Sequence, residues 1–275
     1  CACLVGSEMC IRDRIIEVRL DGEAQKGVYP KDVILEVLGR IRADGAVYKA
    51  IDFTGSYVEK LNVAGRMTIC NMAVEMGAKT AYMQPNADVL NYVDKRAVRP
   101  YEVQFTDPDF QYEESYVFDV SKIEPNLACP SSVENVHPLS EVVANGPIKL
   151  NQGYIGSCTG GRVEDIAIAA KILKGRHIPE YTRLIVVPAS NEVMQECMKA
   201  GYIQDLMNAG ATITTPGCGA CLGAHEGILA PGEVCIASTN RNFPGRMGST
   251  EALMYLASPA TVAASMVNGC ITDPR

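Results

Sequence analysis

The chain has 275 residues, 47% of them hydrophobic, and a formal net charge of −7. This length and apolar content allow one large or two medium globular domains and exclude a disordered or fibrous chain. The negative charge leaves no basic field for a phosphate backbone, which argues against nucleic-acid binding. No stretch reaches the roughly 18 unbroken apolar residues of a membrane span. The eleven scattered cysteines favour free thiols in a reducing, cytoplasmic compartment over a disulfide framework.

The first part of the chain alternates strand-type and helix-type segments. Ile15 to Leu20 predicts a strand, Lys31 to Ala43 places apolar side chains at helical spacing directly after Pro30, and Val47 to Phe53 predicts the next strand. This alternation is typical of a parallel α/β layer.

A further helical run is predicted over Met67 to Ala78, and Gly77 ends it. Asn71 and Glu75 are four residues apart, which would place both side chains on one face of a helix. From the spacing alone, the two side chains are either an ordinary surface pair or polar groups that face a site.

The second half repeats the order of strand, short turn and helix. A segment rich in Pro, Ser and Asn follows the predicted strand Ser115 to Val120, which places a domain boundary near residue 120. In open α/β sheets, ligands gather at the carboxyl ends of the strands, so the turns after the later strands are candidate sites. These strands are predicted at Gln152 to Ile155, Leu184 to Val187, Ala211 to Thr214 and Val234 to Ala237.

Three cysteines lie in glycine-rich turns after predicted strands: Cys158 in Gly-Ser-Cys-Thr-Gly-Gly, and Cys218 and Cys221 in Pro-Gly-Cys-Gly-Ala-Cys-Leu-Gly. Three thiolates suit an iron–sulfur cluster that keeps one iron open. A helix predicted from Val163 places Cys158 near a helix N-terminus, where a thiolate is favoured. The pair Cys218 and Cys221 alone also fits half a zinc site, with His225 as a further candidate ligand, or a thioredoxin-like redox pair.

A polar turn, Thr-Asn-Arg-Asn-Phe-Pro-Gly-Arg-Met-Gly, follows the last predicted strand and contains Asn240, Arg241 and Arg246. Two arginines held on one loop suit the planar, bidentate binding of carboxylates. Either arginine alone is equally compatible with an ordinary surface position.

Taken in order, the Cys158 turn, the Cys218 turn and the Asn240 turn resemble the aconitase superfamily, most of all the large subunits of 3-isopropylmalate dehydratase, with homoaconitase next. The resemblance runs from about Arg14 to the C-terminus. It implies aconitase-like three-layer α/β/α domains with mainly parallel sheets. Two of the usual three core domains would be present, at residues 14–120 and 121–275, in an N-terminally truncated chain. Residues 1–13 match nothing in the family pattern and are interpreted as an artefact, so their three cysteines receive no role.

The resemblance also implies roles for individual residues. A [4Fe–4S] cluster would be held by Cys158, Cys218 and Cys221, and substrate carboxylates would be bound by Asn240, Arg241 and Arg246. The pattern Cys-Asn-Met-x-x-Glu matches at Asn71, which would lie beside the cluster, and at Glu75, which would bind or protonate the departing hydroxyl.

The implied activity is the isomerisation of 2-isopropylmalate to 3-isopropylmalate by dehydration and rehydration, a step of leucine biosynthesis. The alternatives are a homoaconitase, an aconitase or citramalate-type hydratase and, without catalysis, a zinc- or cluster-binding structural module. The resemblance implies a small-subunit partner that carries a swivelling domain and the catalytic serine. The chain by itself is therefore predicted to be inactive.

Overall fold

The computed structural model of the protein describes residues 14–275, so the expectation for residues 1–13 lies outside the described part. The helices are α1 (Pro30–Ile41), α2 (Ser56–Lys60), α3 (Val63–Met72), α4 (Ala87–Asp94), α5 (Leu139–Ala144), α6 (Val163–Leu173), α7 (Asn191–Lys199), α8 (Tyr202–Asn208) and α9 (Pro259–Asn268). The strands are β1 (Ile15–Asp21), β2 (Ala50–Thr54), β3 (Thr80–Tyr82), β4 (Glu114–Asp119), β5 (Asn126–Ala128), β6 (Val136–Pro138), β7 (Gln152–Ile155), β8 (Arg183–Val186), β9 (Thr212–Ile213), β10 (Val234–Ala237) and β11 (Leu253–Leu256). Short 3₁₀ turns occur at Ala73–Met76, Val120–Lys122 and Gly219–Leu222.

The described residues form two compact units, and the first consists of residues 14–25 and 41–123. It is built on a four-stranded parallel sheet in the order β3-β2-β1-β4. In β1, Ile16, Val18 and Leu20 are fully buried, so the alternating side chains of this strand face the core on one side.

The second unit consists of residues 26–40 and 124–275 and contains a seven-stranded sheet in the order β6-β5-β11-β10-β7-β8-β9. The five strands from β11 to β9 are parallel, and β5 and β6 add an antiparallel edge. Buried side chains of α6, such as Ile166 and Leu173, share one core with Val262 and Met266 of α9. The α/β class with mainly parallel sheets is therefore confirmed.

The helix predicted over Lys31 to Ala43 is present as α1, but it belongs to the second unit and not to the segment 14–120 in which it was placed. Its partners are distant in sequence: the backbone N–H of Asn126 donates to Asp32 Oδ1 at 3.1 Å, and a Cβ on Gly39 would lie 3.0 Å from Val136 Cβ. A helical pattern shows that one face is buried but not which sheet covers it. The proposed boundary near residue 120 stays a prediction.

The Pro-, Ser- and Asn-rich segment after residue 120 is more regular than expected, because it contains β5, β6 and α5. Two later strands, Gln152–Ile155 and Val234–Ala237, have the predicted bounds. Among the helices of residues 14–275, none combines the length and apolar character that a bilayer-spanning segment requires.

Candidate functional site

Three loops of the second unit leave the same edge of its sheet. The Cys158 loop follows β7, the Cys218 loop follows β9, and the Asn240 loop follows β10. Since β10, β7, β8 and β9 are parallel neighbours in that order, their carboxyl ends lie side by side. Ligand sites of open α/β sheets are formed at this edge.

The Cys158 and Cys218 loops both pack on Val187, the residue after β8. A Cβ placed on Gly156 would be 2.6 Å from the Val187 carbonyl oxygen, and one on Gly161 would be 2.5 Å from the same atom. A Cβ on Gly219 would lie 3.2 Å from Val187 Cγ2. The glycines therefore allow a close backbone approach that no side chain would permit.

Ser238, at the start of the Asn240 loop, connects this loop to the Cys158 loop. Its buried hydroxyl accepts from Gly156 N at 3.0 Å, and its proton is shared between Gly156 O at 3.1 Å and Gly160 O at 3.3 Å. A Cβ on Gly223, just after the second thiol of the Cys218 loop, would lie 3.2 Å from Arg246 O. The Asn240 loop thus contacts both of the other loops, and those two loops share Val187 as a common neighbour.

None of Cys158, Cys218 and Cys221 forms a disulfide; the first two are exposed and the third is half-buried. The Tyr154 hydroxyl donates to Cys218 O at 2.7 Å. Burial raises the pKa of Tyr154, and the charges of both cysteines of this loop act in the same direction. Within residues 14–275 no group of three Cys, His, Asp or Glu side chains is arranged to hold a metal ion. The backbones of the three loops therefore lie close together, while the described Cys, His, Asp and Glu side chains do not form a metal-binding group of three.

The Asn240 loop has buried polar atoms without hydrogen-bond partners among the described residues. They are Thr239 Oγ1, Asn240 Oδ1, Asn242 Oδ1 and Arg246 Nε. Each unpaired buried group costs on the order of 1–3 kcal/mol, so a cluster of them favours a ligand that supplies the missing partners. Arg246 offers a donor and Asn240 an acceptor, which fits a hydroxy acid. The Asn242 amide nitrogen, by contrast, donates to Cys129 O at 2.8 Å and holds the loop itself.

The other two predicted site residues, Asn71 and Glu75, lie in the first unit and are half-buried. The α-helix predicted over Met67 to Ala78 ends earlier than expected, because α3 ends at Met72 and Glu75 lies in the 3₁₀ turn that Gly77 closes with a φ of 82°. That Asn71 and Glu75 share one face stays a prediction.

Sequence reasoning assigned no role to Ser238, Tyr154 or Val187, although all three join the loops. The only signal was their position at or next to the end of a predicted strand. His225 is exposed, with a φ of 75°, and belongs to no group of three metal-ligand side chains in the described chain. The zinc alternative gains no support from it.

Comparison with known proteins agrees with the resemblance. The aconitase family (aconitate hydratase) matches residues 5–269, so the match begins inside the first 13 residues, where none was expected. A probable methanogen homoaconitase large subunit of Methanothermobacter thermautotrophicus is 48% identical over 94% of this chain and 60% of its own length. A 3-isopropylmalate dehydratase large subunit 1 of Methanopyrus kandleri is 51% identical over 94% of this chain and 61% of its own length.

The chain therefore spans about 60% of the length of these curated relatives. The holo-form structure of Thermococcus kodakaraensis aconitase X aligns with a TM-score of 0.47 and 11% identity, over 88% of this chain and 53% of that chain. This likeness is too weak to support an argument.

Proposed function

This chain belongs to the aconitase family, and on that premise we propose that it is part of the large subunit of a [4Fe–4S] hydro-lyase. The proposed reaction isomerises 2-isopropylmalate to 3-isopropylmalate by dehydration and rehydration. The observation that carries the proposal is the meeting of the Cys158, Cys218 and Asn240 loops at one edge of the second sheet, joined through Val187 and Ser238.

Cys158, Cys218 and Cys221 are the residues that would hold the cluster. None of the three forms a disulfide, and they lie in loops whose glycines approach a shared neighbour, Val187, more closely than a Cβ would allow. When bound, a cluster with one open iron supplies Lewis-acid assistance to the loss of hydroxide. None of the described cysteines forms a disulfide, which supports a reducing compartment and hence the cytoplasm.

Asn240, Arg241 and Arg246 would bind and orient the substrate. The unpaired Nε of Arg246 would donate to a substrate carboxylate, and the unpaired Oδ1 of Asn240 would accept from a hydroxyl. Holding a hydroxy acid at both of its functional groups fixes the orientation of the bond that breaks, and this orientation contributes to catalysis.

The family pattern gives further roles to two residues: Asn71 would lie beside the cluster, and Glu75 would bind or protonate the departing hydroxyl. Abstraction of the α-proton requires a base. We assign it to a serine on the swivelling domain of a separate small subunit. The relatives named large subunits support such a partner, and this chain alone would be inactive.

A homoaconitase is the second candidate, because a relative of that name is almost as similar to this chain as the 3-isopropylmalate dehydratase large subunit. The two reactions share dehydration chemistry and differ in the side chain of the substrate. Both substrates must therefore be assayed.

The test uses the complete large subunit, reconstituted anaerobically with iron and sulfide and combined with its small subunit. The Cys158→Ala, Cys218→Ala and Cys221→Ala variants are expected to lose the broad visible absorption of the cluster and the turnover of 2-isopropylmalate. The matched control is Cys270→Ala, which removes a half-buried free thiol outside the three loops. It is expected to keep both properties.

A colourless, zinc-loaded wild-type protein would contradict the cluster and favour the structural module. Turnover of homocitrate-type substrates, without turnover of 2-isopropylmalate, would replace the first candidate by the second. Equal loss of absorption in the Cys270→Ala control would show that the assay reports folding and not ligation.

A further inference from the structure

Lys31 is buried at the start of α1, in the second unit. Lys31 is only 2% exposed, and its ammonium group donates to the backbone carbonyl of Thr239 at 2.6 Å. The two residues are 208 positions apart in the sequence. Thr239 directly precedes Asn240 and Arg241, so this hydrogen bond reaches the base of the proposed substrate-binding loop.

This position is unfavourable for a lysine in two respects. The first turn of a helix carries partial positive charge, which repels a cation. Burial of an ammonium group also removes its hydration, and a neutral side chain of similar length would avoid that penalty. The hydrogen bond to the Thr239 carbonyl and the charges of nearby carboxyl groups offset the repulsion by the helix N-terminus and the loss of hydration. Burial raises the pKa of both Asp32 and Asp165 to about 7, and the Lys31 charge opposes each rise.

The contact lies at the start of the loop, directly after Ser238, which is held through its hydroxyl by Gly156. The hydroxyl of Thr239 is buried without a partner among the described residues, so the backbone carbonyl of Thr239 makes the contact with Lys31. Further along, the Asn242 amide donates to Cys129 O at 2.8 Å, so Lys31 adds an anchor between those at Ser238 and Asn242. The Lys31 charge also lowers the pKa of Asp165, against the larger effect of burial. Asp165 accepts from Arg162 N at 3.1 Å and caps α6, the helix that follows the Cys158 loop.

We infer that Lys31 is a positioning residue, whose ammonium group holds the Thr239 carbonyl and so sets the position of Asn240 and Arg241 relative to the Cys158 loop. The inference rests on the proposed role of Asn240 and Arg241 in binding substrate. Lys31 itself contacts no reacting atom in this account.

The first test is kinetic and uses the reconstituted complex of both subunits. Lys31→Met keeps the length of the side chain but removes the donor, and the KM for 2-isopropylmalate is expected to rise about tenfold with kcat changed less than about twofold. Leu38→Ala is the matched control, because Leu38 is fully buried on the same helix. It lowers stability without touching Thr239 O, so KM is expected to stay at the wild-type value.

The second test does not depend on turnover. Hydrogen exchange on the cluster-free large subunit is expected to be at least about tenfold faster at residues 239–242 in Lys31→Met than in Leu38→Ala. If the wild-type complex turns over no substrate, the proposed function fails, while this measurement still decides whether Lys31 holds the loop.

A conservative variant separates charge from packing. Lys31→Arg keeps a charged donor and is expected to stay within about threefold of the wild-type KM. Should Lys31→Met fail to fold, Lys31→Leu, which also lacks a donor, replaces it with the same expected direction. Identical KM values in the Met or Leu variant and the wild type, together with exchange no faster than in Leu38→Ala, would overturn the inference.

Discussion

Ser238→Ala is the change that most directly tests whether the loops are joined as the structure indicates. The substitution removes the hydroxyl that accepts from Gly156 N at 3.0 Å and donates toward Gly156 O and Gly160 O. Ser238 is fully buried, so water does not replace the lost partner. An unsatisfied buried amide costs about 1–3 kcal/mol, and the free energy of unfolding should fall by that amount.

Ser265→Ala provides the control, because its chemistry is the same at a distant place in the second unit. Ser265 is also fully buried, and its hydroxyl accepts from Thr272 N at 3.0 Å and donates to Thr272 O at 3.5 Å. Urea denaturation should therefore show a similar loss of stability, with unchanged m-values, in both variants.

The difference should appear in cluster retention. In air, the visible absorption of reconstituted Ser238→Ala is expected to decay faster than that of the wild type, because the Cys158 loop is no longer attached to the Asn240 loop. Ser265→Ala should decay at the wild-type rate. Equal decay in the two variants, or a loss of stability below about 0.5 kcal/mol in Ser238→Ala, would refute the reasoning.

Two central strands of the second sheet could be predicted from the sequence, because nearly all of their residues are buried. Gln152–Ile155 and Val234–Ala237 are short runs rich in apolar residues, and loops rich in Gly or Ser end them. Strands buried on both faces of a parallel sheet carry this continuous pattern. A strand can therefore be predicted from the sequence when its apolar pattern fits only one kind of secondary structure.

The antiparallel edge of the same sheet could not be predicted. β5 and β6 have three residues each, which is too short for any period to be visible. Their pairing depends on a distant strand, since Ala128 pairs with Leu256 of β11. The placement of α1 in the second unit has the same cause, because its contacts with Asn126 and Thr239 join segments far apart in sequence.

For the candidate site, residue chemistry was visible in the sequence and the supporting contacts were not. Cysteines beside glycines identified two of the loops, but the role of Ser238 follows only from its distance to Gly156. The α-helix predicted over Met67 to Ala78 ends earlier than expected, because α3 ends at Met72 and a 3₁₀ turn follows it. Local spacing cannot reveal where a helix changes its period.

Three further predictions concern the same unit. Gly219→Ala should lower the free energy of unfolding by about 1–3 kcal/mol, because the φ of Gly219 is +53° and a Cβ would lie 2.7 Å from the Tyr154 hydroxyl. Gly217→Ala is the control, because a Cβ there would meet open space, and equal unfolding midpoints of the two variants would contradict this. The bidentate ion pair with Arg183 holds the pKa of Glu233 below its usual range, so its stabilisation is present above about pH 4.3 and is lost as the pH falls through the lower folded-state value. Stability measured against pH should therefore fall less steeply in acid for Arg183→Met than for the wild type, and equal slopes would refute the assignment. Iodoacetamide labelling of the metal-free chain at about pH 8, followed by mass spectrometry, should divide four thiols into two pairs, because only the thiolate reacts and only accessible sulfur is attacked. The exposed pair, Cys158 and Cys218, should be modified, and the buried pair, Cys197 and Cys235, should be spared. Burial raises the pKa of Cys197 to about 11 and that of Cys235 to about 12, so comparable labelling of either buried thiol would show that the core of this unit opens far more readily than its packing indicates.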